Sequence, residues 1–171
     1  GLMGLAIADE LAKNGRHVEI LSRRRSEAAG FVAAGMLAPY AEGLQGSLLK
    51  LCQLSLDRIP TWIQTIERNS GIKCGLKNCG TVVPFPSADE RKAHPTASFG
   101  KTLNREELES EVPGIAPKWR TGLLFAKDSQ IDNRRRLMRA LEKACVEHGV
   151  RFQEGVEVLS LLHNTHEFQG V

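Results

Sequence analysis

The chain begins Gly1-Leu2-Met3-Gly4, two glycines spaced as the second and third of a GxGxxG turn that enters a helix. Such a turn acts through what it lacks. Without a Cβ the backbone comes close to a pyrophosphate, and the free N–H groups and dipole of the following helix stabilise the negative charge. Gly1, Met3 and Gly4 are therefore candidate dinucleotide contacts, with Gly1 nearest the phosphates and Gly4 at a helix–strand contact. Two glycines three apart also suit any tight helix start, so the spacing needs support from residues further along the chain.

Support comes from Ser22, 21 positions after Gly1, where dinucleotide folds often place an acid that binds the ribose hydroxyls. The acid is absent here. Ser22 still offers a hydroxyl, and Arg23, Arg24 and Arg25 come directly after it. These guanidinium groups suit a phosphate or adenine, an NADP 2′-phosphate, or simply a solvated loop. A second small-residue stretch, Ala33-Ala34-Gly35-Met36-Leu37-Ala38-Pro39, is too poor in charge for an ordinary exposed loop. It is expected to lie against something bulky.

With Tyr40-Ala41-Glu42 after it, this stretch resembles the D-amino-acid oxidase superfamily, and most of all its glycine oxidases of thiamine biosynthesis. The resemblance spans essentially the whole chain. It implies FAD as cofactor, with Ala33, Ala34, Gly35, Met36 and Leu37 lining the pyrophosphate and flavin. Cys79-Gly80-Thr81-Val82-Val83-Pro84 is similar to a family strand. Asp128 to Gly149 resembles the return from substrate domain to FAD domain. Val158 matches the position whose backbone contacts adenine, although a valine there also suits plain core packing. Ser22 departs from the family pattern.

The activity implied is oxidation of glycine or another small amine to its imine, with O2 yielding hydrogen peroxide. A thiazole synthase is implied as partner or fusion neighbour, and a homo-oligomer for the intact enzyme. A sarcosine oxidase, a D-amino-acid dehydrogenase, an NADP-binding reductase domain and a non-catalytic module are the alternatives. The chain itself is expected to be a fragment that lacks the first fingerprint glycine and its strand. No catalytic residue is assigned, because the family's carboxylate-clamping arginine belongs to the half beyond Val171.

The elements that must position these residues are read from periodicity. Leu2 to Asn14 carries apolar residues at helical spacing and is stopped by Gly15, and Val18 and Ile20 then mark a strand over His17 to Leu21. Helix followed by strand predicts an α/β unit with parallel pairing. Ser47 to Asn69 predicts a long helix kinked or divided at Pro60. Gly71 to Phe85 predicts a hairpin about Asn78 and Gly80, bringing Cys74 and Cys79 together. Asp89 to Pro117 shows only a short helix near Arg105 to Glu111. Gly122 to Ala126 predicts a strand, Asp128 to Gln130 a turn, and Asp132 the N-cap of an amphipathic helix reaching about His148. Strands are expected at Val150 to Gln153 and Val156 to Leu162, with another starting near Gly170.

The fold expected is thus α/β: an incomplete FAD-binding Rossmann-like domain (1–70 and 128–171) with part of a mixed-sheet substrate domain inserted (71–127). Tyr40 and Glu42 are read as shaping the loop after the flavin segment, and His148 as a helix-end residue favoured by the dipole.

Composition narrows the classes. The 171 residues suffice for one sizeable core. A surplus of 23 basic over 20 acidic residues and 5% aromatic content give no basis for nucleic-acid binding. The four cysteines and five histidines lack zinc-ligand spacing, so no metal is expected, and a reducing, cytoplasmic setting is the simpler reading. No apolar run approaches the roughly 18–20 residues of a membrane span. Neither an HExxH motif nor a Ser/His/Asp spacing is present, which removes the basis for hydrolase chemistry.

Overall fold

A computed structural model describes residues 1–131, 134–163 and 168–170. In chain order the elements are α1 (Leu2–Lys13), β1 (Glu19–Ser22), β2 (Met36–Leu37), α2 (Gly46–Ser70), β3 (Leu76–Lys77), β4 (Thr81–Phe85), α3 (Ala88–Ala93) and β5 (Lys101–Leu103). Then come α4 (Arg105–Glu111), β6 (Thr121–Phe125), β7 (Ser129–Ile131), α5 (Arg134–Glu147), β8 (Arg151–Glu154), β9 (Leu162–His163) and β10 (Phe168–Gly170). The chain is α/β, and its contacts form two compact units: Gly1–Ala34 with Gln64–Cys74 and Asn133–Val171, and Gly35–Ile63 with Gly75–Asp132.

In the first unit β1 pairs with β8 in parallel, from Glu19 opposite Arg151 to Ser22 opposite Glu154. α1 packs on both β1 and α5. Its inward face carries Leu5 and Ala8, and that of α5 carries Leu137, Met138, Leu141, Ala144 and Cys145, all buried. Each fully buried Leu or Met contributes about 1.5–3 kcal/mol relative to exposure. Gly15 comes after the end of α1 at φ 74°, a left-handed conformation that glycine adopts without a Cβ clash.

The second unit holds two antiparallel sheets. In one, β7 lies between β2 and β3; in the other, β6 lies between β4 and β5. Its core joins Tyr40, Leu49, Leu123 and Phe125, with Leu56, Val83 and Phe85 packed against them. A capping box starts α4: the Glu107 N–H donates to Asn104 Oδ1 and the Asn104 N–H donates to Glu107 Oε2, both at 2.9 Å. Residues 35–63, expected with the cofactor portion, share this unit's contacts, where β2 pairs with β7.

Several expectations are corrected. α2 runs undivided through Pro60. The division expected at Pro60 is therefore absent, and Leu49 and Ile63, one on each side of the proline, are both buried. No hairpin joins β3 to β4, because β3 takes β7 as its partner and β4 takes β6. Cys74 and Cys79 are both free thiols, one buried and one exposed. Ser129 and Gln130, expected in a turn over Asp128 to Gln130, belong with Ile131 to a strand that has neighbours on both sides. Asp89 to Pro117 contains β5 as well as α4, because β5 completes an edge of the β6 sheet. Val156 to Leu161 is not a strand, and only Leu162 and His163 pair, with β10. The N-cap expected at Asp132 lies outside the described residues. Among the described residues no helix is long and apolar enough to cross a membrane.

Candidate functional site

The parallel pair delivers the carboxyl end of β1 and the segment after β8 to the same place. Ser22 O accepts the Val156 N–H at 3.2 Å, one step beyond the Ser22–Glu154 pairing. The cleft formed there, of about 490 Å³, is lined by Gly1, Ser22, Arg23, Arg24, Glu157 and Val158, with Leu21, Glu27, Ala28 and Val156 completing it. Five residues singled out from the sequence thus share one concavity: Gly1, Ser22, Arg23, Arg24 and Val158. Gly1 is the N-cap position of α1, so the free amides of a 12-residue helix begin at the cleft wall. A Cβ on Gly1 would stand 3.8 Å from that of Ala28, an ordinary contact distance.

The three arginines are not a free cationic patch. Arg23 Nη2 meets Glu27 Oε2 at 2.9 Å and its Nη1 meets Glu157 Oε1 at 3.2 Å. Arg24 Nη1 meets Glu27 Oε1 at 2.9 Å. Arg25 pairs with Glu142 at 2.8 Å, lies over the Phe152 ring, and donates its backbone N–H to Glu154 at 3.1 Å. The hydrogen bond to Glu27 raises Arg23 above the ordinary guanidinium value, and that to Glu142 does the same for Arg25. Each of the three guanidinium groups thus has at least one carboxylate partner.

Other candidates lie elsewhere. Met3 is 72% exposed and, like Gly4, does not line the cleft. A Cβ on Gly4 would meet nothing within 4 Å among the described residues. Ala33 and Ala34 are exposed in the first unit and are absent from the cleft wall. Gly35, Met36 and Leu37 belong to the second unit.

Gly35 has its own reason to be glycine. At φ 85°, a Cβ would fall 2.3 Å from the Ile131 carbonyl oxygen, while Gly35 O accepts the Ile131 N–H at 2.8 Å. The missing side chain thus lets the backbone of residue 35 seat against β7. Met36 and Leu37 line a pocket of about 200 Å³ with Pro39, Cys52, Leu56 and Ile59. Its charged member is Glu42.

The loop after this stretch is fixed by a buried acid that sequence reasoning missed. Asp128 is fully buried and accepts the N–H groups of Tyr40 at 3.3 Å and Ala41 at 3.0 Å. Burial pushes its carboxyl above the ordinary range, and the Ala41 and Tyr40 amides oppose that shift. Thr96 donates to Tyr40 O, His94 Nε2 lies 3.2 Å from Ala41 O, and Gln53 donates to the Tyr40 hydroxyl at 3.1 Å. Tyr40 is accordingly a structural anchor, as its loop-shaping role required.

Glu27 and Glu157 were also missed. The first carried a signal, four residues after Arg23; the second carried none, because 134 residues separate it from its partner. Among the described residues no group of three or more His, Cys, Asp or Glu is placed to hold a metal.

Comparison with known proteins adds three findings. The model of a family described as FAD dependent oxidoreductase, DAO, matches residues 1–171. The "Bifunctional protein ThiO/ThiG" of Synechocystis sp. is 35% identical over 164 residues, 94% of this chain and 24% of that protein. Its namesake from Trichormus variabilis is 32% identical over 177 residues, covering 100% of this chain and 27% of that one. The chain thus spans about a quarter of the length of these curated relatives. Glycine oxidase from Geobacillus kaustophilus superposes with a TM-score of 0.85 at 25% identity, over 95% of this chain and 46% of that one. For glycine oxidase from Bacillus cereus the TM-score is 0.83 at 18% identity, over 98% and 47%, a likeness of fold.

Proposed function

The chain belongs to the family of FAD dependent oxidoreductases, and we propose that it forms part of a cytoplasmic glycine oxidase-like enzyme whose first unit holds the adenosine and pyrophosphate end of FAD. The observation that carries this reading is the single cleft shared by Gly1, Ser22, Arg23, Arg24 and Val158. An amide-rich helix start for the pyrophosphate and a hydroxyl for the ribose fit that half of the cofactor in type and order. Val158, 45% exposed, offers backbone and an apolar side chain to an adenine ring.

Bound FAD supplies a two-electron acceptor for oxidation of a small amine, glycine by preference, to its imine, with O2 as final acceptor and hydrogen peroxide as product. In this reading the residues of the cleft bind and orient the cofactor. Gly35, Met36 and Leu37 belong to the flavin-proximal stretch in this reading, with Asp128 holding the following loop in shape.

The names of the curated relatives extend the proposal to thiamine biosynthesis, with a thiazole synthase as partner or fused neighbour. A homo-oligomeric intact enzyme completes it.

The rival NADP-binding reading relied on free arginines at 23 to 25, and their pairing with Glu27, Glu157 and Glu142 weighs against it. The test is a titration of the full-length apoprotein with FAD and with NADP, followed by peroxide detection with glycine, sarcosine and D-alanine. Saturable FAD binding and glycine-dependent peroxide are expected. Tight NADP binding with none for FAD would overturn the proposal.

A further inference from the structure

Ser22 stands where an acid commonly meets the ribose hydroxyls, yet the cleft contains two carboxylates from other positions. Glu27 already uses both oxygens, Oε2 on Arg23 and Oε1 on Arg24, each at 2.9 Å. Glu157 differs. Its Oε1 meets Arg23 at 3.2 Å, whereas its Oε2 has no partner among the described residues, and the side chain stays 56% exposed beside Val158.

We propose that Glu157 supplies the carboxylate for the FAD ribose diol that Ser22 cannot supply, with Arg23 as its positioning residue. The inference rests on the FAD reading above. An ionised carboxylate is acceptor-only and offers two charged oxygens to the O–H groups of a vicinal diol, where a serine hydroxyl offers one neutral oxygen and a weaker bond. Arg23 reaches Glu27 through one terminal nitrogen and Glu157 through the other, so its planar fork ties the loop after β1 to the segment after β8. The acid has thus moved from one strand end to the neighbouring one while facing the same cleft. A negative charge there also repels a phosphorylated ribose, selecting the unmodified sugar.

The experiment measures binding of ADP and of its dideoxyribose analogue to full-length apoprotein by calorimetry, with FAD binding followed by quenching of flavin fluorescence. Wild type is expected to favour ADP over the analogue by about tenfold, the scale of a solvent-accessible charged hydrogen bond. Glu157→Gln should weaken ADP and FAD by a similar factor and leave the analogue unchanged, so that the discrimination disappears. Arg23→Ala should reduce it only in part. Full discrimination retained in Glu157→Gln overturns the assignment of Glu157 alone. Failure of wild type to bind either ADP or FAD would sink the cofactor reading with it.

Discussion

His148 Nδ1, one residue beyond α5, lies 2.8 Å from Oδ1 of Asp9 in the middle of α1. Asp9 is 1% exposed, and its other oxygen accepts Lys13 from the next turn of the same helix. A buried carboxylate is costly unless its lone pairs are met, and here an imidazole and an ammonium meet them. The pair fastens the helix that begins at the cleft to the helix that precedes β8. His148, expected only as a helix-end residue, thus has a specific partner in Asp9.

Asp9→Ala should therefore lower stability by about 1–3 kcal/mol, since Lys13 and His148 lose their acceptor in a partly buried setting. Urea denaturation monitored by circular dichroism measures this. An unchanged midpoint would show that the pair contributes nothing.

Gly35→Ala should destabilise by about 2–4 kcal/mol, combining a left-handed conformation unsuited to alanine with crowding against the Ile131 carbonyl. The contact at stake is 2.3 Å from backbone that cannot swing aside. Gly4→Ala serves as control, because its Cβ would enter open space. Equal melting temperatures for the two variants would contradict the close approach.

The Asp128 carboxyl is raised by burial above its ordinary value of 3.8. The native state consequently holds this proton more tightly than the unfolded chain, and stability from this group falls as pH rises from about 3.8 through the native value. In Asp128→Asn that component of the pH dependence should vanish, although the loss of an acceptor for Tyr40 or Ala41 lowers stability at every pH. Urea midpoints for both proteins across the acidic range test it, and parallel curves would refute it.

Burial pushes the Cys74 and Cys145 thiols up to about 11, whereas Cys79 is exposed. Because the thiolate is the nucleophile, iodoacetamide at mildly alkaline pH should label Cys79 and leave Cys74 and Cys145 untouched until denaturant is added. Mass spectrometry of timed digests reads this directly. Native-state labelling of Cys145 at the Cys79 rate would overturn the burial argument.

What the sequence determined by itself was local. The periodicity of Leu2 to Asn14 and of the helix before His148, the strand ending at Ser22, and the order of GLMG, Ser22 and AAGML were legible because they depend on spacing along a few turns or pleats. Gly1, Ser22, Arg23 and Arg24 could be singled out for the same reason, whereas Val158 was reached only through resemblance to a known family. Only the tertiary structure decided which partners those elements took. β3 and β4 look like a hairpin in isolation, but their actual partners β7 and β6 lie about 55 and about 40 residues away and leave no trace in local pattern. The same limit hid the carboxylate that holds Arg23, since Glu157 and the arginine meet only when β1 and β8 align. It hid Asp128 as well, whose burial and two backbone donors come from a loop 87 and 88 residues earlier.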